Sequence, residues 1–143
     1  MSVRTALYAY LSQVPTLTAI LGSGASFRAY PHFAGQGREL PLLVYRRLLT
    51  RRPYSLQEVG LQRITTIQIE VWGKSMAAVD ELVSAVEAAM HAWSGTWDDV
   101  EIKRALIPEG APDFDDDEEP VDGTRIADLH TIQQWDVQYQ KAA

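Results

Sequence analysis

Residues 61–72 read LQRITTIQIEVW, and the apolar side chains alternate with polar ones. Ile67, Ile69 and Val71 fall on one parity, Gln68 and Glu70 on the other. Successive residues of an extended chain point to opposite sides, so this pattern predicts a strand with one face in a core. Directly after it, Lys74–Gly95 carries apolar residues at helical spacing: Val79, Leu82, Val83, Val86, Met90 and Trp93, with Ala78, Ala85 and Ala89 thinning the flank. Ser75 is placed to cap this helix and Gly95 to end it. A strand that runs straight into an amphipathic helix decides the fold class as α/β in the α+β sense, a sheet with helices packed on it.

Working outward, Pro41–Thr50 (PLLVYRRLLT) reads as a second strand. Leu42 and Val44 face one way; Leu43, Tyr45 and Leu49 face the other, together with Arg47. Neither face is wholly polar, which suits a strand covered on both sides or one lying in an interface. The link Arg51–Gly60 is too long for a tight turn, so the two strands are expected to form a long central hairpin with an extended tip. Residues 3–14 predict an amphipathic helix capped by Ser2; Pro15 interrupts it, and Thr16–Leu21 adds one more turn before Gly22-Ser23-Gly24. A short extended piece at Phe27–Tyr30 follows, then a loop through Gly35 and Gly37. Val100–Ile107 and Thr124–Tyr139 complete the strands. A bulge or bend around His130–Gln133 is expected, because Ile126 and Ile132 are out of phase with Ala127, Leu129, Trp135, Val137 and Tyr139.

The expectation is one domain over residues 1–143. Its sheet is mostly antiparallel or mixed and packs against an N-terminal helix and the long central helix. The core is expected from Leu7, Leu11, Val44, Ile67, Ile69, Val71, Val79, Leu82, Val83, Val86 and Met90. An acidic loop at 109–123 and a loose end at 140–143 lie outside it.

Composition removes several function classes. The 143 residues include no cysteine, which excludes a disulfide scaffold, a thiolate zinc site and a thiol nucleophile. No stretch has the h-region of a signal peptide, and no apolar run approaches the roughly 18 residues of a membrane span, so no membrane partner is expected. His32, His91 and His130 lie on separate elements without zinc-motif spacing. The run GSGAS at Gly22–Ser26 has neither a Walker lysine nor a nucleophile elbow. The tract DFDDDEEP at Asp113–Pro120 lacks the spaced ligands and central glycine of a calcium loop. No catalytic residue, metal site or cofactor is therefore assigned, and an enzyme is not expected.

The charge is uneven. Residues 1–95 hold nine basic and six acidic side chains, a net of +3, whereas residues 96–143 hold four and thirteen, a net of −9. Seven acids fall between Asp113 and Asp122. Such a chain has the means to pair with copies of itself or with neighbours of mixed charge. The arginines around the hairpin, Arg46, Arg47, Arg51, Arg52 and Arg63, with Tyr45 and Tyr54, admit three readings: ion pairs between subunits, a solvated face, or contact with nucleic acid. Glu70 and Trp72 sit on the less apolar parity of their strand, where a tryptophan can anchor an interface or lie under a helix. The candidate protein-interface residues are thus Tyr45, Arg47, Arg51, Arg52, Tyr54, Arg63, Glu70 and Trp72.

Taken together, the N-terminal helix before Pro15-Thr16-Leu17, the aromatic and glycine loop Phe27–Gly37, the strand Leu40–Leu48 and the passage Arg63–Gly73 into the helix Ala77–Met90 resemble a known pattern. It is that of the tail-completion or tail-terminator proteins of long-tailed bacteriophages, with the similarity covering about residues 3–107. The resemblance implies a small protomer that closes into a ring, typically a homohexamer in that family. The ring terminates the tail tube and joins it to the head connector of the virion, with subunits made in the host cytoplasm. Implied partners are copies of itself, the tail tube protein and the head–tail connector, with non-specific contact to DNA passing through the lumen. Two alternatives stand beside it: a head-completion adaptor on the portal side, and a small cytosolic protein-binding adaptor.

Overall fold

Ser2 Oγ accepts the backbone N–H of Thr5 at 3.2 Å and opens helix α1 (Val3–Leu11). Helix α2 (Pro15–Leu21) starts on Pro15, where the missing N–H costs no helical bond. The proline therefore separates two helices, and the second is longer than the single turn expected. It stops at Gly22, whose φ of 92° and close approach to the Ser26 carbonyl leave no room for a side chain. A short 3-10 turn (Gly24–Ser26) leads to strand β1 (Ala29–Pro31), followed by β2 (Leu42–Arg51), β3 (Gln62–Gly73), helix α3 (Met76–His91), β4 (Gly95–Trp97), β5 (Val100–Leu106), β6 (Phe114–Asp116) and β7 (Leu129–Lys141). The structure is a computed structural model and describes residues 2–32, 39–51, 62–108, 114–116 and 129–141.

The strands form one mixed sheet in the order β1-β2-β3-β7-β5-β4, with β6 also paired to β7. Among the described residues, only the β1–β2 pair is parallel. β2 and β3 run antiparallel from Leu42↔Trp72 to Arg51↔Ile64, and the connection between them lies outside the described residues. The three α-helices among the described residues cover the same face. Leu7 and Leu11 of α1, Leu17 and Leu21 of α2, and Val79, Leu82, Val86 and Met90 of α3 share a cluster with Leu43, Tyr45, Ile67, Ile69, Val71, Trp135 and Val137 of the sheet. Burial of these side chains, each contributing about 1.5–3 kcal/mol, is the main force holding the two layers together.

Most of the expected core lies in this cluster. Val83 is only partly buried at its margin. Val44 is buried but belongs to the opposite face, because it pairs with Glu70.

Other expectations are corrected. Tyr45, read as an interface residue, is only 4% exposed: its partner on β3 is Ile69, so its ring turns under the helices beside Tyr8. Helix α3 ends at His91 with Ala92 as its C-cap, and Gly95 instead opens β4 at a φ of 127°. Trp93, past the helix, stacks on Tyr10 at 5.8 Å, while the Tyr10 hydroxyl donates to the Ala89 carbonyl at 2.7 Å; this fastens α1 to the end of α3.

The bulge expected in β7 is absent, since its register with β3 is continuous from Gln62↔Gln140 to Gly73↔Leu129. Thr131 and Gln133 occupy buried positions on the helix-facing parity instead. Gln133 is satisfied there: its Nε2 donates to Glu87 Oε1 at 2.8 Å, and its Oε1 accepts from Trp135 Nε1 at 3.4 Å. The bulges fall in β2, between Arg47 and Leu49, and in β5, between Ile102 and Arg104. The chain end expected to be loose at 140–143 is paired as far as Lys141, and Gln140 Nε2 donates to Glu101 Oε2 at 2.7 Å. Three residues of the expected acidic loop form β6, and the rest of that loop lies outside the described residues.

Two measurements probe this packing. Leu82→Ala should lower the unfolding free energy by about 2–5 kcal/mol in urea titrations, because its fully buried side chain leaves a cavity between α3 and the sheet. Burial, reinforced by Tyr8 and opposed by Arg4, raises the Tyr45 phenol above the ordinary value of 10.0. The unfolded chain then loses that proton first. The associated stability is complete below pH 10.0 and disappears as pH rises through the folded value. Thermal unfolding between neutral and strongly alkaline pH should show a shallower alkaline decline for Tyr45→Phe than for the parent chain; an unchanged slope would exclude Tyr45 as a contributor.

Candidate interaction surfaces

The bulge in β2 shapes the first surface. An extra residue between Arg47 and Leu49 breaks the alternation, so Leu48 and Leu49 both emerge, 43% and 50% exposed. Beyond it the strand is pinned to β3: Thr65 Oγ1 donates to the Leu49 carbonyl at 3.1 Å and meets Thr50 Oγ1 at 3.2 Å. Arg63 and Tyr139, paired across β3 and β7, complete the walls of a depression of about 440 Å³ with Arg47, Leu48, Leu49 and Thr50. Adjacent exposed leucines rimmed by cations have the character of a protein contact.

Two of the candidate interface residues, Arg47 and Arg63, are therefore brought together here. Arg52 and Tyr54 lie outside the described residues, as does the side chain of Arg51. The leucines carry most of the apolar character of this corner. Their exposure depends on a bulge that strand alternation does not announce.

The second surface is the face of the sheet opposite the helices. Glu70 is the centre of a polar group there: Oε1 accepts from Arg46 Nη2 at 3.2 Å and from Gln68 Nε2 at 2.9 Å, and Oε2 accepts from Trp72 Nε1 at 3.3 Å. Thr66 Oγ1 donates to Asp136 Oδ1 at 2.8 Å on the same face. Glu70 and Trp72 thus bond to each other within one protomer. A half-buried carboxylate holding three donors of its own chain is committed to the fold.

A third surface combines residues that are distant in sequence. β1 ends at Pro31, and the next residue, His32, at a φ of 71°, donates its N–H to the Tyr45 carbonyl at 3.0 Å. Its imidazole meets α1, where Arg4 Nη1 donates to His32 Nε2. That bond places the ring proton on Nδ1. Ser2, Arg4, Thr5, Tyr8, Pro31, His32 and Tyr45 line a cleft of about 500 Å³. Sequence reading did not assemble it, because Arg4, His32 and Tyr45 meet only through the parallel β1–β2 pairing.

Among the described residues, no three histidine, aspartate or glutamate side chains gather as ligands for a metal ion. No described helix is long and apolar enough to cross a membrane. What these surfaces offer is hydrogen bonding, charge and exposed apolar area.

Comparison with known proteins accords with this architecture. The model of one family, described as Tail completion protein gp17, matches residues 5–138, from the first turn of α1 almost to the end of β7. No curated protein matches the chain. The match spans nearly the whole two-layer unit, including β5 and β7, and the chain belongs to this tail completion family of phage tail structural proteins.

Proposed function

We propose that the protein closes into a ring, of six copies, that terminates the tail tube and presents the surface to which the head-side connector joins. The observation that carries this reading is the pair Leu48 and Leu49, exposed together on a bulged strand and flanked by Arg47 and Arg63. Burying two half-exposed leucines contributes about 1–2 kcal/mol each, a useful anchor for an interface. The surfaces described above lie at different places on the protomer and are not copies of one another. A contact between unlike surfaces is heterologous, and repeated rotation about it closes a ring. Family membership supplies the location, the phage tail. Contacts with the tube protein and with the connector follow from a ring placed at the end of that tail.

Negative-stain microscopy and sedimentation of the purified chain, alone and with tail tube protein, test the reading. Hollow rings are expected for the parent chain. The double variant Leu48→Asp with Leu49→Asp should keep the parent melting behaviour, since exposed substitutions usually change stability by less than about 0.5 kcal/mol. It should nevertheless remain monomeric and fail to cap tubes. Isolated globules of the parent chain at every concentration, with and without tubes, would overturn the ring. Normal assembly by the double variant would remove the leucine corner from it.

A further inference from the structure

The sheet ends on each side in a strand that is only half covered. β1 flanks β2 at Leu43–Tyr45 and leaves Arg46–Arg51 without a neighbour on that side among the described residues. β4 flanks β5 at Val100–Ile102 and leaves Lys103–Leu106 open in the same way. A bulge interrupts each strand, between Arg47 and Leu49 and between Ile102 and Arg104, so these edges offer side chains more than a regular backbone ladder. The side chains they offer are apolar. Of the four large hydrophobic residues exposed among the described residues, Leu48 and Leu49 lie on the β2 edge and Leu106, at 39%, on the β5 edge.

The register places two of these leucines on one line. Leu49 pairs with Thr66, Thr66 with Asp136, and Asp136 with Leu106. Thr66 alternates with the helix-facing Ile67, so this row belongs to the face away from the helices. Three strand spacings separate its ends, about 14 Å at 4.8 Å each. Leu49 and Leu106 of one protomer therefore cannot meet, and each is left for a neighbour.

The outline of the sheet shows how a second copy fits. β1 occupies the rows that β6 occupies across the sheet, through Tyr30, Val44, Glu70, Ile132 and Phe114. β4 occupies rows that begin at Arg63, past the last β2 pair Arg51↔Ile64. Consider a second copy beside the first in the same orientation and row. Its β2 cannot lie directly against β5, because its β1 would fall on β6 of the first copy. One strand position further out, its β1 stands beside that β6, while β4 of the first copy takes the same position in other rows. Each projecting strand then enters the recess of the other edge. β2 and β5 stand about 10 Å apart, the separation across which apolar side chains of packed sheets interdigitate.

We propose that the β2 edge of one copy docks beside the β5 edge of the next, with Leu49 of the first meeting Leu106 of the second. The contact rests on the ring reading and deepens it, by naming the two unlike surfaces that repeat around the ring.

The chain contains no cysteine, so introduced thiols report the contact without background. Leu49→Cys and Leu106→Cys are made singly and together in the full chain and treated with a short bismaleimide. Both positions are exposed, and each variant should melt as the parent does. Should either fail to fold, Leu48→Cys and Lys103→Cys, exposed on the same two edges, take their place. On a denaturing gel, a mixture of the two single variants should give a covalent dimer and nothing larger. The double variant should give a ladder that stops at the ring size, and each single variant alone should stay monomeric. Met76→Cys, exposed on α3 at the helix side of the sheet, supplies the collision control. The Leu49 and Leu106 mixture should link at least about tenfold faster than a Leu49 and Met76 mixture, because a built contact raises effective concentration.

Dimers from either single variant alone would mean that like edges meet, and would overturn the assignment. Equal linkage in the Met76 mixture would overturn it too. The two readings fail separately. Rings in the microscope without linkage sink the edge contact and leave the ring intact. A ladder that runs on without closing, with no ring under any condition, sinks the ring and leaves the edge contact standing. Neither linkage nor rings would sink both.

Discussion

Strand β3 is hydrogen-bonded to β2 on one side and to β7 on the other along nearly its whole length. Ile67, Ile69 and Val71 are each fully buried on its helix-facing side. A slip of one residue would turn all three to the opposite face and bring Gln68 and Glu70 under α3, so the register is strongly held. The same constraint sets the surfaces. It places Glu70 opposite Val44 and Ile132 on the face away from the helices, where Arg46, Gln68 and Trp72 close around its carboxylate. The strand also delivers the chain into α3 with little slack. A Cβ added at Gly73 would stand 3.0 Å from Val79 Cγ2, so the joint admits glycine far more readily than any larger residue.

What was legible in the sequence followed from local periodicity. β3 and α3 each bury one face against a single partner layer, so their patterns are clean, and nine of the expected core residues lie in the observed cluster. Polar residues with private partners defeated the same logic. Gln133 sits in a core position because Glu87 and Trp135 satisfy its amide, so β7 looked out of phase although its pairing is regular. Tyr45 read as an interface side chain because its neighbours in sequence are Val44 and Arg46. Its environment is set by Ile69 across the sheet and by Tyr8 on α1. The short strands β4 and β6 carry three residues each, too few for an alternation to register.

The surfaces were less legible than the core, for a physical reason. A core stripe repeats at the period of its own element, whereas a surface site collects residues from separate elements. Arg47 and Arg63 are legible as members of the arginine cluster around the hairpin, because both lie on adjacent strands. The leucines between them emerge through a bulge, and the cleft of Arg4, His32 and Tyr45 depends on a parallel pairing of only three residues. Charge asymmetry was visible from composition alone.

In the proposed ring, these features divide the work of association. Exposed ion pairs contribute about 0–1 kcal/mol each and weaken with salt, so charge alone holds a small protomer poorly. Apolar burial at Leu48 and Leu49 is stronger but has no direction, and would accept neighbours in more than one orientation. Direction comes from the use of unlike surfaces: when one surface of a protomer meets a different surface of the next, every added subunit leaves one end of each kind open until the circle is complete.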